Sequence, residues 1–320
     1  MINKICFFGL LHIKKDENIH LNFKSKNNDH KNLVYLKNAI ILNQQLKNYG
    51  YDFILLTNKK IYLDKLQKKL NYKLKLKQLS FRTYVPRKTH FYACHFRVDV
   101  FRYLSSLKKV YSILIDLDVL ILKNPKKLYQ YKKDKINLIN NITKNVIPAY
   151  GEEKILKNLK ILNHKIKKVE WYGGDFFSGN SHFYKILHQK TKFYQKKFVK
   201  NIRWLSDQTD ELFMSAAINE IKYNNLSKIK NVKDTGIFTR YWNTNVKHTQ
   251  KKALYYQRFN ILHIPADKVF LSKCYENLGK SSLFKSDYFA HVLSVRNIFK
   301  KNISKILPKQ IKIKIRKYFT

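Results

Sequence analysis

Apolar residues follow two rhythms along the chain. Ile5-Cys6-Phe7-Phe8-Gly9-Leu10-Leu11, Asp52 to Leu56 and the run leading into Asp116 are short unbroken apolar stretches, the signature of strands buried on both faces. Between them, Asn32 to Tyr49 carries Leu33, Leu36, Ile40 and Leu46 at helical spacing and stops at Gly50, and Tyr62 to Leu70 predicts a second helix. Leu74, Leu76 and Leu79 suggest a third strand. The order β-α-β-α-β predicts an α/β fold, a mostly parallel sheet with helices on its faces. Further on, the spacing predicts helices over Thr89 to Leu107, Ser181 to Val199 and Leu212 to Ile221, and a short strand at Ile261 to Pro265. Lys132 to Lys168 is polar and weakly periodic, so loops and a short helix over a site are expected there.

Val110 to Pro125 breaks its apolar run with two carboxylates, Asp116 and Asp118, one residue apart. On a strand such residues share a face and aim their oxygens at one point. Two close carboxylates repel unless a cation lies between them. Oxygen ligands suit Mg2+ or Mn2+, which keep positions open for substrate phosphates. The pair equally fits a strand end whose carboxylates cap a turn or pair with nearby lysines.

Charge adds a second theme. With 65 Lys+Arg against 21 Asp+Glu, the net charge is +44, which favours an anionic partner: nucleic acid, an acidic membrane surface or a phosphorylated substrate. Lys, Asn, Ile, Tyr and Phe are all abundant, a compositional bias that accounts for much of the excess. Cys6, Cys94 and Cys274 are widely spaced with no C-x-x-C, so neither a disulfide framework nor a zinc site is indicated, and a reducing cytosol fits. The apolar N-terminal run is too short to span a bilayer.

Other candidates lie downstream. A guanidinium at Arg97, on the helix feeding the Asp116 strand, would fork onto phosphate oxygens or pair on the surface with a carboxylate. In Trp171-Tyr172-Gly173-Gly174-Asp175 the paired glycines permit close approach and the aromatics would stack on a sugar or pack in the core. Ser206 and Asp207 fit a helix N-cap, and Asp207, Gln208, Asp210 and Glu211 form a local polar and acidic patch. His263 is a half-buried histidine or a third metal ligand, with Lys268 close by. From Val292 to Thr320 apolar and basic residues alternate, the pattern of a tail lying on an anionic leaflet.

The order of elements over residues 1–270 resembles the retaining GT-A glycosyltransferases of family 8, with a weaker likeness to family 6. The residues carrying it are Val110 to Pro125, His95-Phe96-Arg97-Val98-Asp99, Gly173-Gly174-Asp175, Asp207-Gln208, and His263 with Lys268. The resemblance implies a Rossmann-like, mostly parallel sheet flanked by helices, and a transferase domain over 1–270 followed by a basic amphipathic extension over 271–320. It implies Mn2+ (or Mg2+) on Asp116, Asp118 and His263, and a UDP-sugar held by Arg97, Asp116, Gly174, Asp175 and Lys268. Asp207 and Gln208 would act at the reacting sugar carbon. It further implies an oligosaccharide or lipid-linked glycan acceptor and a cytoplasmic protein peripheral at the inner membrane face. The acceptor is expected to enter between the Lys132 to Lys168 stretch and the loop around Trp242. Gly9-Leu10-Leu11-His12 departs from the family, which carries an acidic pair there. The other readings are a polyanion- or nucleic-acid-binding protein and a transferase fold without activity.

Overall fold

The computed structural model describes residues 4–13, 28–87, 89–244 and 246–294. In chain order its elements are β1 (Lys4–Leu11), α1 (Asn28–Lys47), β2 (Asp52–Thr57), α2 (Lys60–Lys69), β3 (Leu76–Gln78), α3 (Arg97–Ser105), β4 (Val110–Ile115), β5 (Val119–Ile121), α4 (Leu128–Lys133) and β6 (Asn137–Asn141). There follow α5 (Thr143–Tyr150), α6 (Glu152–Leu162), β7 (Tyr172–Gly179), α7 (Ser181–Asn201), α8 (Asp210–Tyr223), β8 (Ile229–Asn231), β9 (Phe238–Arg240), β10 (Ile261–His263), α9 (Lys268–Lys273) and α10 (Phe284–Leu293).

The main sheet has seven strands in the order β3-β2-β1-β4-β7-β6-β8. Only β7 runs against its neighbours; the other described pairings are parallel. The unbroken apolar run of β1 is explained by its central place. Cys6 and Phe8 enter one core with α3, α6, α7 and α8, while Ile5, Phe7 and Leu11 enter the other with α1 and α2. Each fully buried Phe or Leu there contributes about 1.5–3 kcal/mol. A three-stranded sheet, β5-β10-β9, stands beyond the C-terminal end of β4.

Three expectations are corrected. Asp116 and Asp118 do not lie on a strand: β4 ends at Ile115, β5 starts at Val119, and the residues between pass from the large sheet to the small one. Gly9 leaves room beneath that passage: a Cβ there would meet the Leu117 side chain at 2.4 Å and the Phe53 ring at 3.0 Å. Lys132 to Lys168 is not a loop but supplies β6, α5 and α6. Its polarity misleads because Asn137 donates to Ser227 Oγ at 2.8 Å and to the Lys228 carbonyl at 2.9 Å, so its amide nitrogen is engaged inside the sheet. The predicted Thr89 to Leu107 helix is broken: Phe91 has φ of 51°, a 3-10 turn covers Tyr92–Phe96, and the α-helix begins only at Arg97. The break lets neighbouring rings go separate ways, Phe96 stacking on His12 and His95 packing against Phe198 and Phe213.

The chain from Lys268 to Leu293 packs on the small sheet, with Leu271, Phe284, Tyr288 and Phe289 sharing a cluster with Leu262 and Ile264. The rest of the basic tail lies outside the described residues. No described helix is long and apolar enough to cross a membrane.

Candidate functional site

At the C-terminal edge of β4 the chain turns out of one sheet and into another, where open α/β sheets gather ligands. Asp116 and Asp118 sit on this turn. The Ile264 backbone N–H donates to the Asp118 carbonyl at 2.9 Å, so β10 is tied to the turn directly. The same strand brings in His263. One ligand atom from each of Asp116, Asp118 and His263 lies within 4.8 Å of the others, although His263 stands 145 positions after Asp118 in the chain.

His263 is held from behind. Its Nδ1 lies 2.8 Å from Asp175 Oδ2, which leaves Nε2 pointing forward, 3.3 Å from Asp118 Oδ2 and 3.7 Å from Asp116 Oδ2. Nε2 is buried and makes no hydrogen bond among the described residues. A buried nitrogen without a bond, facing two carboxylates, is poorly satisfied by protein alone and well satisfied by a cation. Burial alone would lower the His263 pKa, but Asp118, and after it Asp175, raise it to about 9. Lys268 also serves this cluster, its Nζ 2.5 Å from Asp118 Oδ2 and 2.6 Å from the Pro265 carbonyl. Burial would raise the Asp118 carboxyl; Lys268 and then His263 hold it well below the usual range instead.

Arg97, the first residue of α3, closes the other side. Its guanidinium donates to Asp116 Oδ1 at 2.5 Å and to Asp210 Oδ2 at 2.6 Å. Gly174 is what admits it, since a Cβ there would stand 2.7 Å from Arg97 Nη1. Asp99 faces elsewhere: its Oδ2 accepts from the backbone of Arg82 and Thr83, fixing the segment after β3. That segment, with the end of β1, forms an open groove of about 740 Å3 walled by His12, Phe81, Tyr92 and Phe96, with Arg87 at its side.

Asp175 is fully buried on β7 and engaged by Asn140 at 3.0 Å, Arg240 at 2.6 Å and His263. Arg240 continues to Glu211 at 3.0 Å, and Glu211 accepts from the Gly174 backbone and the Trp171 indole. Trp171 and Tyr172 are core residues. Asp207 caps the approach to α8 by accepting from the Thr209 backbone and hydroxyl at 2.8 and 2.7 Å, and Gln208 donates to the Ile202 carbonyl at 3.4 Å. Burial raises the Asp207 pKa, against the pull of the Thr209 bonds. Among the described residues neither Asp207 nor Gln208 touches the Asp116, Asp118 and His263 cluster. Asp210 reaches it through Arg97.

Asp210, Glu211, Asn140 and Arg240 are the site residues that sequence reasoning did not assign. The acidic patch 207–211 signalled the first two; nothing local signalled Asn140 or Arg240. One further expectation fails here. The gap between α5 and the Trp242 segment is closed by two bonds between Asn145 and Thr249, at 2.6 and 3.1 Å. The cavity left, about 20 Å3, holds about one water and no sugar.

No protein-family model matches the chain, and no curated protein matches it. Among solved structures it is similar to the apo crystal structure of mouse xyloside xylosyltransferase 1, with 10% sequence identity, a TM-score of 0.46, and coverage of 82% of this chain and 97% of that one. At that identity the likeness transfers no residue's role.

Proposed function

We propose that the chain is a metal-dependent glycosyltransferase that moves a hexose, galactose or glucose, from a UDP-sugar to a surface glycan such as a lipooligosaccharide or capsule chain, with retention. The observation that carries this reading is the convergence of Asp116, Asp118 and the unbonded His263 Nε2 at the C-terminal edge of a mostly parallel sheet. The motif resemblance over Val110 to Pro125 and Asp207-Gln208 gives the reaction class.

In this reading Asp116, Asp118 and His263 hold Mn2+ (or Mg2+); a nitrogen in the set favours Mn2+. Bound there, the ion supplies Lewis-acid charge against the diphosphate leaving group. The chain's own residues do the rest. Arg97 adds a fixed cation beside Asp116. The ring-lined groove at the end of β1 receives the uracil base. Asp207 and Gln208, at the approach to α8, face the reacting sugar carbon, Gly174 and Asp175 shape the floor under the donor, and Lys268 neutralises Asp118. The protein acts at the cytoplasmic face of a membrane, aided by its basic tail.

The deciding experiment measures UDP release from a panel of UDP-sugars with Mn2+. Slow release from one donor that stops with EDTA is expected. If no donor is turned over and none binds in a Mn2+-dependent way, the reading fails, and the +44 charge makes salt-dependent binding of polyanions the alternative.

Asp175 gives a separate check. Because it orients His263, Asp175→Asn is expected to raise the Mn2+ dissociation constant about 10- to 100-fold by titration calorimetry. An unchanged constant would remove Asp175 from the metal's support.

A further inference from the structure

Helix α7 is the longest described helix, and Ser181–Asn201 holds Lys185, Lys190, Lys192, Lys196, Lys197 and Lys200 with no acidic residue. Its buried face, including Phe183, Leu187, Tyr194 and Phe198, packs into the core. The outward face is ordered by the helical period. Lys185, Lys192, Lys196 and Lys200 are all exposed and fall at i, i+7, i+11 and i+15, one stripe along the helix, which Arg203 continues. The stripe runs for ~27 Å. Among the described residues none of these four lysines makes an ion pair, whereas the flanking Lys190 pairs with Glu220 and Lys197 bonds the Leu162 carbonyl.

Large rings stand among these charges. Phe193 is 51% exposed with Lys197 laid over it at 4.7 Å, and Trp204, just past the helix, is 77% exposed. Tyr84 is 69% exposed and is fastened beside the helix by Gln195, which donates to its carbonyl at 2.6 Å. We propose that this outward stripe of α7 docks the chain on an anionic lipid bilayer. Unpaired lysines meet headgroup phosphates, their stems lie along the interface, and Phe193 and Trp204 enter the headgroup boundary, where aromatic rings gain burial while polar tips stay wet. The surface is a convex helix face rather than a basic cleft that could track a nucleic-acid strand.

The topology gives the docking a direction. β7 runs against β4, pairing Gly179 with Ser112 and Phe176 with Ile115. α7 therefore starts at the base of the sheet and climbs to the edge that carries Asp116. Its far end leads through Trp204 to Asp207 and Asp210. A bilayer on this stripe lies next to the site's edge, the placement that a lipid-linked acceptor needs. The docking stands on α7 alone and holds or fails independently of glycosyl transfer.

The test is sedimentation of the full chain with vesicles of phosphatidylcholine, alone or with 30 mol% phosphatidylglycerol, at physiological salt. The full chain is expected to partition onto the anionic vesicles only. Lys192→Gln, Lys196→Gln and Lys200→Gln together are expected to weaken partitioning on the order of a hundredfold, at about one lysine's contribution each. Lys65→Gln, Lys68→Gln and Lys69→Gln on α2 remove the same charge elsewhere and are expected to change it by no more than about threefold, since a docked face screens distant charge. Trp204 emission is expected to shift to the blue on binding and to be quenched by brominated lipid, a signal lost in Trp204→Phe. Equal losses in the two triple variants, an α7 variant that binds like the parent through its tail, or tighter binding of single-stranded RNA than of vesicles would each overturn the proposal.

Discussion

Asp118→Asn is expected to abolish Mn2+-dependent UDP release and to weaken Mn2+ binding by at least about a hundredfold, more than loss of a supporting group does. The chain is expected to stay folded, because the Asp118 carbonyl that accepts from Ile264 is untouched. What disappears is a buried carboxylate that Lys268 and His263 keep ionised. His263 responds in turn. Its folded pKa of about 9 stands above the unfolded value of 6.5, with Asp118 the largest raising influence. Below pH 6.5 the imidazolium contributes its full stabilisation, and this is lost as pH rises through about 9. A metal must displace the same proton, so wild-type Mn2+ affinity is expected to climb from pH 7 to about 9. In Asp118→Asn the proton leaves at lower pH and the climb moves to the acid side. Calorimetry at both pH values, in buffers of different ionisation enthalpy, reads affinity and proton release together. A variant that binds Mn2+ like the wild type would place the ion elsewhere.

Arg97→Met is expected to cost about 3–5 kcal/mol in urea denaturation at pH 8, the range for a buried pair that loses one partner. The guanidinium side chain is 7% exposed and bridges Asp116 to Asp210. Without it, Asp210 is left buried beside Glu211. Burial already pushes the Asp210 carboxyl up to about 6, against the pull of Arg97, and the variant removes that pull. A carboxyl that is raised in the fold destabilises as it ionises, and losing Arg97 raises this one further, so the deficit is expected to narrow as pH falls from 8 towards about 6, below which Asp210 is protonated in both proteins. A Met variant with parental stability at pH 8 would show that the two carboxylates find other partners.

The parts of this protein legible in its sequence are those where one local rule suffices. β1 and β4 read as apolar runs because both sheet faces are covered, and the turn that follows α1 carries Gly50 because it needs a positive φ there. Asp116, Asp118 and His263 stood out because carboxylates and a histidine interrupt apolar stretches. β6 was illegible because the amide nitrogens of Asn137 and Asn140 find their partners at Ser227 and Asp175, far along the chain. Arg240 looked like one basic residue among many, and only the fold sets it against Asp175, 65 positions away. The i, i+2 rule brought Asp116 and Asp118 together for the wrong local reason: a turn between sheets, not a strand face, gathers them.

That turn also has a consequence for the order in which the protein is made. The strands that complete β5 are β9 and β10, so the ribosome must finish more than a hundred further residues before His263 can join the two aspartates. Loop closure over that distance comes late, after the local helices and the β1–β2–β4 core can form. A nascent chain halted before β10 therefore carries every strand of the large sheet and both aspartates but not His263, so the three-residue cluster closes only after the sheet beneath it is whole.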